Sequence, residues 1–330
     1  MYPVSYFNLF PGLSQVGKLP VYLPKRGLQW YDCDMIQDIS PHRFDNRFIQ
    51  DKTPAPDSYA FLFSGDDVLL CGKQESEGDC SLPLCADLPS VLHGVALPAP
   101  FYLFSIDETD CFYYPLTNEQ VAETRNADLP APYAFAATTG IRRNRLVPRH
   151  IAFVLLTAHH LSRWYLENRY CGSCAHETVH APDERAMECP ACKRRIYPKI
   201  MPAVIVAVTN GDEIVLTRYA NRPIAYHALV AGFNEIGETF EETVKREVME
   251  EVGLRVKNIR YYKSQPWAIA GDILAGYFCD VDGDPTIRMD DTELKEAEWV
   301  KREDVDGQPD DFSLTNEMMM VFKEGREPRS

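Results

Sequence analysis

The spacing of hydrophobic residues changes character along the chain, and each change predicts an element. From Met35 onward, apolar runs such as Tyr59-Ala-Phe-Leu-Phe63, Val68-Leu-Leu-Cys71 and Phe101-Tyr-Leu-Phe104 alternate with turn clusters like Ser64-Gly-Asp-Asp67, which predicts a strand-rich region. Thr138-Thr-Gly140 reads as a turn that closes it. Ile151, Val154, Leu155, Ala158, Leu161 and Tyr165 then recur at helical spacing. Beyond Met201, Ala203 to Thr209 and Glu213 to Arg218 are joined by Asn210-Gly-Asp212, the turn chemistry of a hairpin. His227 to Ala231, Arg255 to Tyr262 and Ile273 to Cys279 read as further strands, and Asn316 to Phe322 as a last helix. Strands, a helix, strands and a second helix predict an α/β/α sandwich.

The stretch from Gly232 to Leu254 is a loop that becomes a helix. Thr239 can cap the first turn while Glu242, three residues on, bonds back to it. Gly253 ends the helix, because a residue without a Cβ sits easily in the left-handed conformation just past the last turn. Val244, Val248 and Val252 make an apolar stripe that faces the core. Beside it Glu247, Glu250 and Glu251 stand at i, i+3 and i+4, within reach of a common point. Like charges at that spacing repel. A hard divalent ion such as Mg²⁺ or Mn²⁺, which takes oxygen ligands, is the expected partner, against the plainer alternative of a solvated acidic face.

Cysteine usage adds a second metal. Of ten cysteines, Cys171 and Cys174 form one Cys-x-x-Cys pair, Cys189 and Cys192 form another, and fourteen residues separate the pairs. Four thiolates so arranged suit a closed tetrahedral Zn²⁺ site, which leaves no position for a catalytic water. The segment is too short to fold on buried apolar surface alone, so the zinc is structural. The six other cysteines are scattered, which suits a reducing compartment better than a disulfide framework. Lys193-Arg-Arg195 reads as a solvated turn rather than a phosphate contact. His159 and His160, with no ligand-spaced acid or thiol beside them, read as ordinary surface or core residues.

A length of 330 residues with 45% hydrophobic content allows two domains with their own cores. No apolar run of membrane-spanning length occurs, and the N-terminal residues lack the form of a secretory signal, so a cytoplasmic location is expected. The net charge of −15 argues against a broad electrostatic hold on nucleic acid; phosphate must be bound through metal and a few local cations. Residues 1 to 34 carry several Pro and Gly without a period and form an extension whose order is left open.

Gly232, Glu238, Arg246-Glu247, Glu250-Glu251 and Gly253 complete a spacing that chance would place in such a chain with a probability on the order of 10⁻⁷. It resembles the Nudix box. With the zinc ribbon just upstream and Ser264-Gln-Pro-Trp267 downstream, the chain resembles the NADH pyrophosphatase branch of the Nudix hydrolases, most densely from about Tyr170 to Trp299. The resemblance implies an N-terminal NADH-pyrophosphatase-like domain over 35–166, a zinc ribbon over 167–199 and a Nudix domain over 200–330. It implies a homodimer, one zinc per subunit and Mg²⁺ or Mn²⁺ at the box. The implied reaction cleaves NAD(H) to AMP and nicotinamide mononucleotide, and bacterial members also remove the NAD cap from RNA.

Under that resemblance Glu247, Glu250, Glu251, Glu293 and the Ala231 carbonyl hold the catalytic metals, with one Glu as base. Arg246 anchors the box by pairing with Glu, from the far side of the carboxylates, and Glu238 is counted with the catalytic residues of the box. Phe233 matches a residue that stacks on the nucleotide, with a core Phe as the plain alternative. Glu184, Tyr197 and Arg142 match substrate contacts, as do Gln265, Pro266 and Trp267. The match departs after Trp267: a family sequence Pro-Phe-Pro-x-Ser is replaced by Ala268-Ile-Ala-Gly-Asp272, so a carboxylate stands where the family has a hydroxyl. That departure keeps open another nucleoside diphosphate substrate, such as ADP-ribose or a dinucleoside polyphosphate. A non-catalytic zinc-ribbon binding protein is the third reading.

Overall fold

Strand β1, Met201–Asn210, sends successive side chains to opposite faces, and both faces are apolar. Ala203, Ile205 and Ala207 join one core with Leu314, Met318 and Phe322 of helix α2, Leu314–Lys323. Val204, Val206 and Val208 join another with Val244, Val248 and Val252 of helix α1, Phe240–Val252. A strand buried on both sides must lie in the middle of a sheet with a layer on each face, which is the sandwich expected from the sequence. The computed structural model describes residues 35–74, 77–126, 128–220, 226–309 and 312–329, with the side chains of 126 and 142–144 outside that description. The extension expected over residues 1–34 lies outside it too.

Five further strands complete the sheet: β2 Glu213–Tyr219, β3 Val230–Phe233, β4 Val256–Trp267, β5 Asp272–Val281 and β6 Leu294–Lys301. The order is β4-β5-β1-β2-β6, and β3 pairs with β1. β1 and β5 run parallel, Ala203 beside Leu274; the other pairs are antiparallel. The β1–β2 hairpin turns at Gly211, whose φ of 61° is the left-handed value that its turn needs. Helix α1 begins with the predicted capping box of Thr239 and Glu242 and ends at Gly253, φ 69°.

Upstream, a four-stranded sheet (Phe44–Asp45, Phe101–Ile106, Thr109–Tyr113, Tyr59–Phe61) and a three-stranded one (Phe63–Ser64, Asp67–Cys71, Tyr133–Ala137) share a core with helix Arg149–Glu167. Thr138-Thr-Gly140 is not a turn, as the sequence suggests, but the start of helix Thr138–Asn144. Burial of Ile141 in the shared core fixes that segment against the local preference of its Gly. His159 is buried on the longer helix and His160 meets the Lys199 carbonyl at 3.0 Å, the ordinary roles expected of them.

Three two-residue strands form a small sheet: Val179–His180 and Met187–Glu188 lie between the cysteine pairs, and Arg195–Ile196 follows the second pair. No helix of the described residues is long and apolar enough to cross a membrane.

Candidate active site

Strand β3 brings two halves of a site together, because alternation sends its neighbours to opposite faces. Val230 packs with α1, and Gly232 lies against Glu247 of that helix. Ala231 and Phe233 turn to the other face and line a cleft of about 400 Å³. Gly232 has no alternative: a Cβ there would lie 1.9 Å from the Glu247 carboxyl carbon. Gly232→Ala is expected to displace Glu247 and to weaken Mg²⁺ or Mn²⁺ binding at least ~10-fold, an energy of about 1.4 kcal/mol. Titration calorimetry checks this, and unchanged metal affinity would refute it.

The box carboxylates differ in surroundings. Glu251 is 2% exposed; its Oε1 accepts from the Ala231 N–H at 3.4 Å, and among the described residues its Oε2 has no hydrogen-bond partner. Burial pushes its pKa up to about 8, helped by the charges of Glu247 and Glu293. Glu247 is raised as well, again by burial first. Glu293, just before β6, therefore stands near enough to both to be felt electrostatically, as a fourth acidic group of the site.

Arg246 is not on the far side of these carboxylates. Its Nη1 donates to Glu247 Oε1 at 2.7 Å and to Glu250 Oε2 at 3.0 Å. Its Nε and Nη2 grip Glu238 at 2.6 and 2.9 Å, and Nη2 also donates to the Phe233 carbonyl at 2.9 Å. The long side chain reaches back across its own helix to the loop before it, a geometry that spacing along one helix does not reveal. That guanidinium draws Glu238 down to about 2. With Arg246 holding Glu247 and Glu250 while Glu251 turns to Ala231, the three carboxylates are not drawn to one point. Among the described residues, only the four cysteines form a set of ligand atoms all within 4.8 Å of one another.

Those cysteines, Cys171, Cys174, Cys189 and Cys192, fit zinc. Sulfur–sulfur distances of 3.6 Å (Cys171–Cys192) and 3.4 Å (Cys174–Cys189) lie close to the roughly 3.8 Å edge of a tetrahedron with 2.3 Å Zn–S bonds. Amide N–H groups at Ser173 and Cys192 lower the pKa of Cys171, to about 6, and of Cys189, favouring the thiolate that binds metal.

The residues matched to substrate contacts separate into groups. Phe233, 49% exposed, is no core residue; it lines the cleft with Trp267 and Asp272. Asp272 is buried, which pushes its pKa up to about 6. Glu184 and Tyr197 meet on the ribbon, where the Tyr197 hydroxyl donates to Glu184 Oε1 at 2.9 Å, and neither lines the cleft. Arg195 binds the same Glu184 and also Asp183 at 3.0 Å and Glu188 at 3.2 Å, so it clamps the ribbon and is not part of a solvated turn. Arg142 lies on helix Thr138–Asn144 with its side chain outside the described residues.

Gln265 and Pro266 depart from expectation. Pro266 is exposed and off the cleft. Gln265 is fully buried: its Oε1 accepts from the Leu314 N–H at 2.8 Å, and its Nε2 donates to the Phe312 carbonyl at 2.8 Å and to Gln37 Oε1 at 3.2 Å. Its amide caps α2, and Gln265 does not line the cleft. Gln265→Leu is expected to cost on the order of 1–3 kcal/mol by orphaning the buried Leu314 N–H; an unshifted urea midpoint would refute this. Tyr219, Tyr226, Gln308 and Thr315 also line the cleft. No motif marks them, because they come from three separate segments.

Comparison with known proteins agrees with this arrangement. Residues 199–319 match the family described as NUDIX domain, and residues 166–197 match the NADH pyrophosphatase zinc ribbon domain. The chain carries a NUDIX domain. It follows the ribbon directly, and the Gly232–Glu247 contact and the helix α1 carboxylates lie inside it. The chain is 40% identical over 145 residues to the NAD-capped RNA hydrolase NudC of Escherichia coli O1:K1 / APEC, and equally to that of Shigella boydii serotype 18. The match covers 44% of this chain and 56% of each relative, so the chain spans only about half the length of those proteins. A NUDIX hydrolase structure from Nitrosomonas europaea aligns with a TM-score of 0.42 at 20% identity, over 48% of this chain and 92% of that one.

Proposed function

We propose that the chain is a metal-dependent NAD(H) diphosphatase, hydrolysing the pyrophosphate of NADH and NAD to AMP and nicotinamide mononucleotide, and that NAD-capped RNA is cut at the same bond. The observation that carries this reading is β3, where four residues join the half-buried Glu247 and buried Glu251 of α1 to an aromatic-walled cleft of nucleoside size. A diphosphate crossing that strand would have its phosphates at the acidic side and one base against Phe233 and Trp267. The NAD-capped RNA hydrolase relatives and the NADH pyrophosphatase zinc ribbon support this substrate class over other nucleotides.

The donor set suits Mg²⁺ or Mn²⁺: it consists of oxygens, and Glu251 Oε2 is buried without a hydrogen-bond partner among the described residues. Glu247, Glu250, Glu251, Glu293 and the Ala231 carbonyl would hold the ion. Bound there, it would offset the charge of the diphosphate and lower the pKa of a bound water. For attack of water on phosphorus, which would break the bridging P–O bond, one of these carboxylates would take the proton. Arg246, tied to Glu238, Glu247, Glu250 and the Phe233 carbonyl, is a positioning residue.

We also divide the chain at 35–166, 167–199 and 200–330, and read it as a cytoplasmic homodimer with one zinc per subunit. The five described cysteines outside the zinc set, Cys71, Cys80, Cys85, Cys111 and Cys279, are not in disulfides and support a reducing compartment. Exposed Leu166, Tyr170, Val179, Tyr197 and Ile200 on and beside the ribbon support an apolar contact between copies.

The test is to incubate the protein with NADH, NAD, ADP-ribose and diadenosine polyphosphates in Mg²⁺ or Mn²⁺. AMP is expected from both dinucleotides, and its absence from both would overturn the proposal. The altered stretch Ala268 to Asp272 favours a second reading, another nucleoside diphosphate derivative as the preferred substrate. Faster cleavage of ADP-ribose in the same panel would establish it.

A further inference from the structure

The cleft holds one buried polar group that nothing among the described residues satisfies. Asp272 opens β5, lines the cleft and is 7% exposed, yet its Oδ1 has no hydrogen-bond partner. A buried acceptor left unpaired is costly. A ligand that brings a donor to it recovers that cost.

Strand register shows what such a ligand must look like. Trp267 pairs directly with Asp272, so the two side chains stand together on one face. On the same face Ala203 is flanked by Phe233 on β3 and by Leu274 on β5, and Asp272 lies one pleat from Leu274. Two strand spacings and two residues of rise put the Phe233 and Asp272 Cα atoms about 12 Å apart. With both side chains reaching inward, the gap matches a flat ring laid on Phe233 with an edge substituent at the carboxylate. The floor between them is apolar, formed by Ala203, Ile205 and Leu274, which suits a ring better than a sugar. Among the described residues that line the cleft none is Lys or Arg, so none of them would hold a phosphate beside the Asp272 carboxylate.

We propose that Asp272 accepts a hydrogen bond from an NH₂ group on the base that enters the cleft, an exocyclic amine or a carboxamide, and thereby selects bases that carry one. The inference rests on the dinucleotide hydrolase reading and adds to it the feature by which a base is recognised. A base with a carbonyl oxygen or a carboxylate at that edge meets the Asp272 oxygen with no donor between them. A dinucleotide offers this NH₂ chemistry at both ends, on adenine and on nicotinamide, so the test has an arm for each.

The experiment compares kcat/KM for NAD with that for its nicotinic acid analogue and for its hypoxanthine analogue, in the native protein and in Asp272→Asn and Asp272→Ser. Calorimetric affinities are measured in parallel for AMP against inosine monophosphate and for nicotinamide mononucleotide against nicotinic acid mononucleotide. The native protein is expected to prefer the NH₂-bearing member of one pair by at least ~10-fold, the scale of a site whose buried polar group would otherwise go unpaired. Both variants are expected to reduce that preference to within ~3-fold while melting no lower than the native protein, since a buried charge has been removed. The pair that responds identifies the base. Equal affinity for both members of both pairs, or a preference that survives in both variants, overturns the inference. If no dinucleotide is cleaved the hydrolase reading fails by itself, and the mononucleotide affinities still decide the role of Asp272.

Discussion

Glu251→Gln is expected to lower kcat for NAD hydrolysis at least ~100-fold, a typical scale for losing a group that stabilises charge in the transition state. The side chain is 2% exposed and Gln has its shape, so the variant should fold and keep the contact with the Ala231 N–H. What it loses is the negative charge that would hold a cation. Full activity in the variant would remove Glu251 from the groups that the hydrolysis depends on.

A second measurement separates this from a structural effect. Burial raises the folded pKa of Glu251 to about 8, above its ordinary value of 4.5. The folded state therefore holds a proton that the unfolded state releases, and without added Mg²⁺ or Mn²⁺ the stability contribution of this group falls as pH rises from about 4.5 to about 8. Thermal melts across that range should slope downward in the native protein and less so in Glu251→Gln. Because a metal ligand must be ionised, Mg²⁺ binding near pH 7 should release a proton from the native protein and fewer from the variant. An identical proton count in calorimetry would remove Glu251 from the metal site.

The other large effect is expected from zinc. The ribbon has three strands of two residues each, and few of its side chains are buried. Its order must come from metal–thiolate bonds, worth roughly 10–16 kcal/mol in comparable small sites. Elemental analysis should give one zinc per chain. A strong chelator, or Cys189→Ser at a fully buried ligand, should expose residues 167–199 to proteolysis while the β1–β6 sheet, with its own two cores, keeps its secondary structure. Activity should fall with the ribbon if Glu184 and Tyr197, held together there by Arg195, contribute to substrate binding. A ribbon that stays protease-resistant after its zinc is gone would contradict the assignment.

Those parts of this protein whose causes are local were legible in the order of its residues. The capping box at Thr239, the stop at Gly253, the valine stripe, the Asn210-Gly-Asp212 hairpin and the two cysteine knuckles each depend on residues a few positions apart, and each is found where the spacing puts it. The order of strands and helices likewise foretold the sandwich, in which β1 is buried on both faces.

Tertiary structure alone decided what touches what. It placed Arg246 among the carboxylates and pressed Gly232 against Glu247, fifteen residues away in sequence. It took Gln265 out of the site by bonding it to Leu314, and left Asp272 buried and unpaired in the cleft. It also turned Thr138-Thr-Gly140 into a helix by burying Ile141. The physical reason is that hydrophobic period fixes only the face on which a side chain stands. Its neighbours on that face are set by strand order and register, which arise from pairings between distant segments and leave no mark in local spacing.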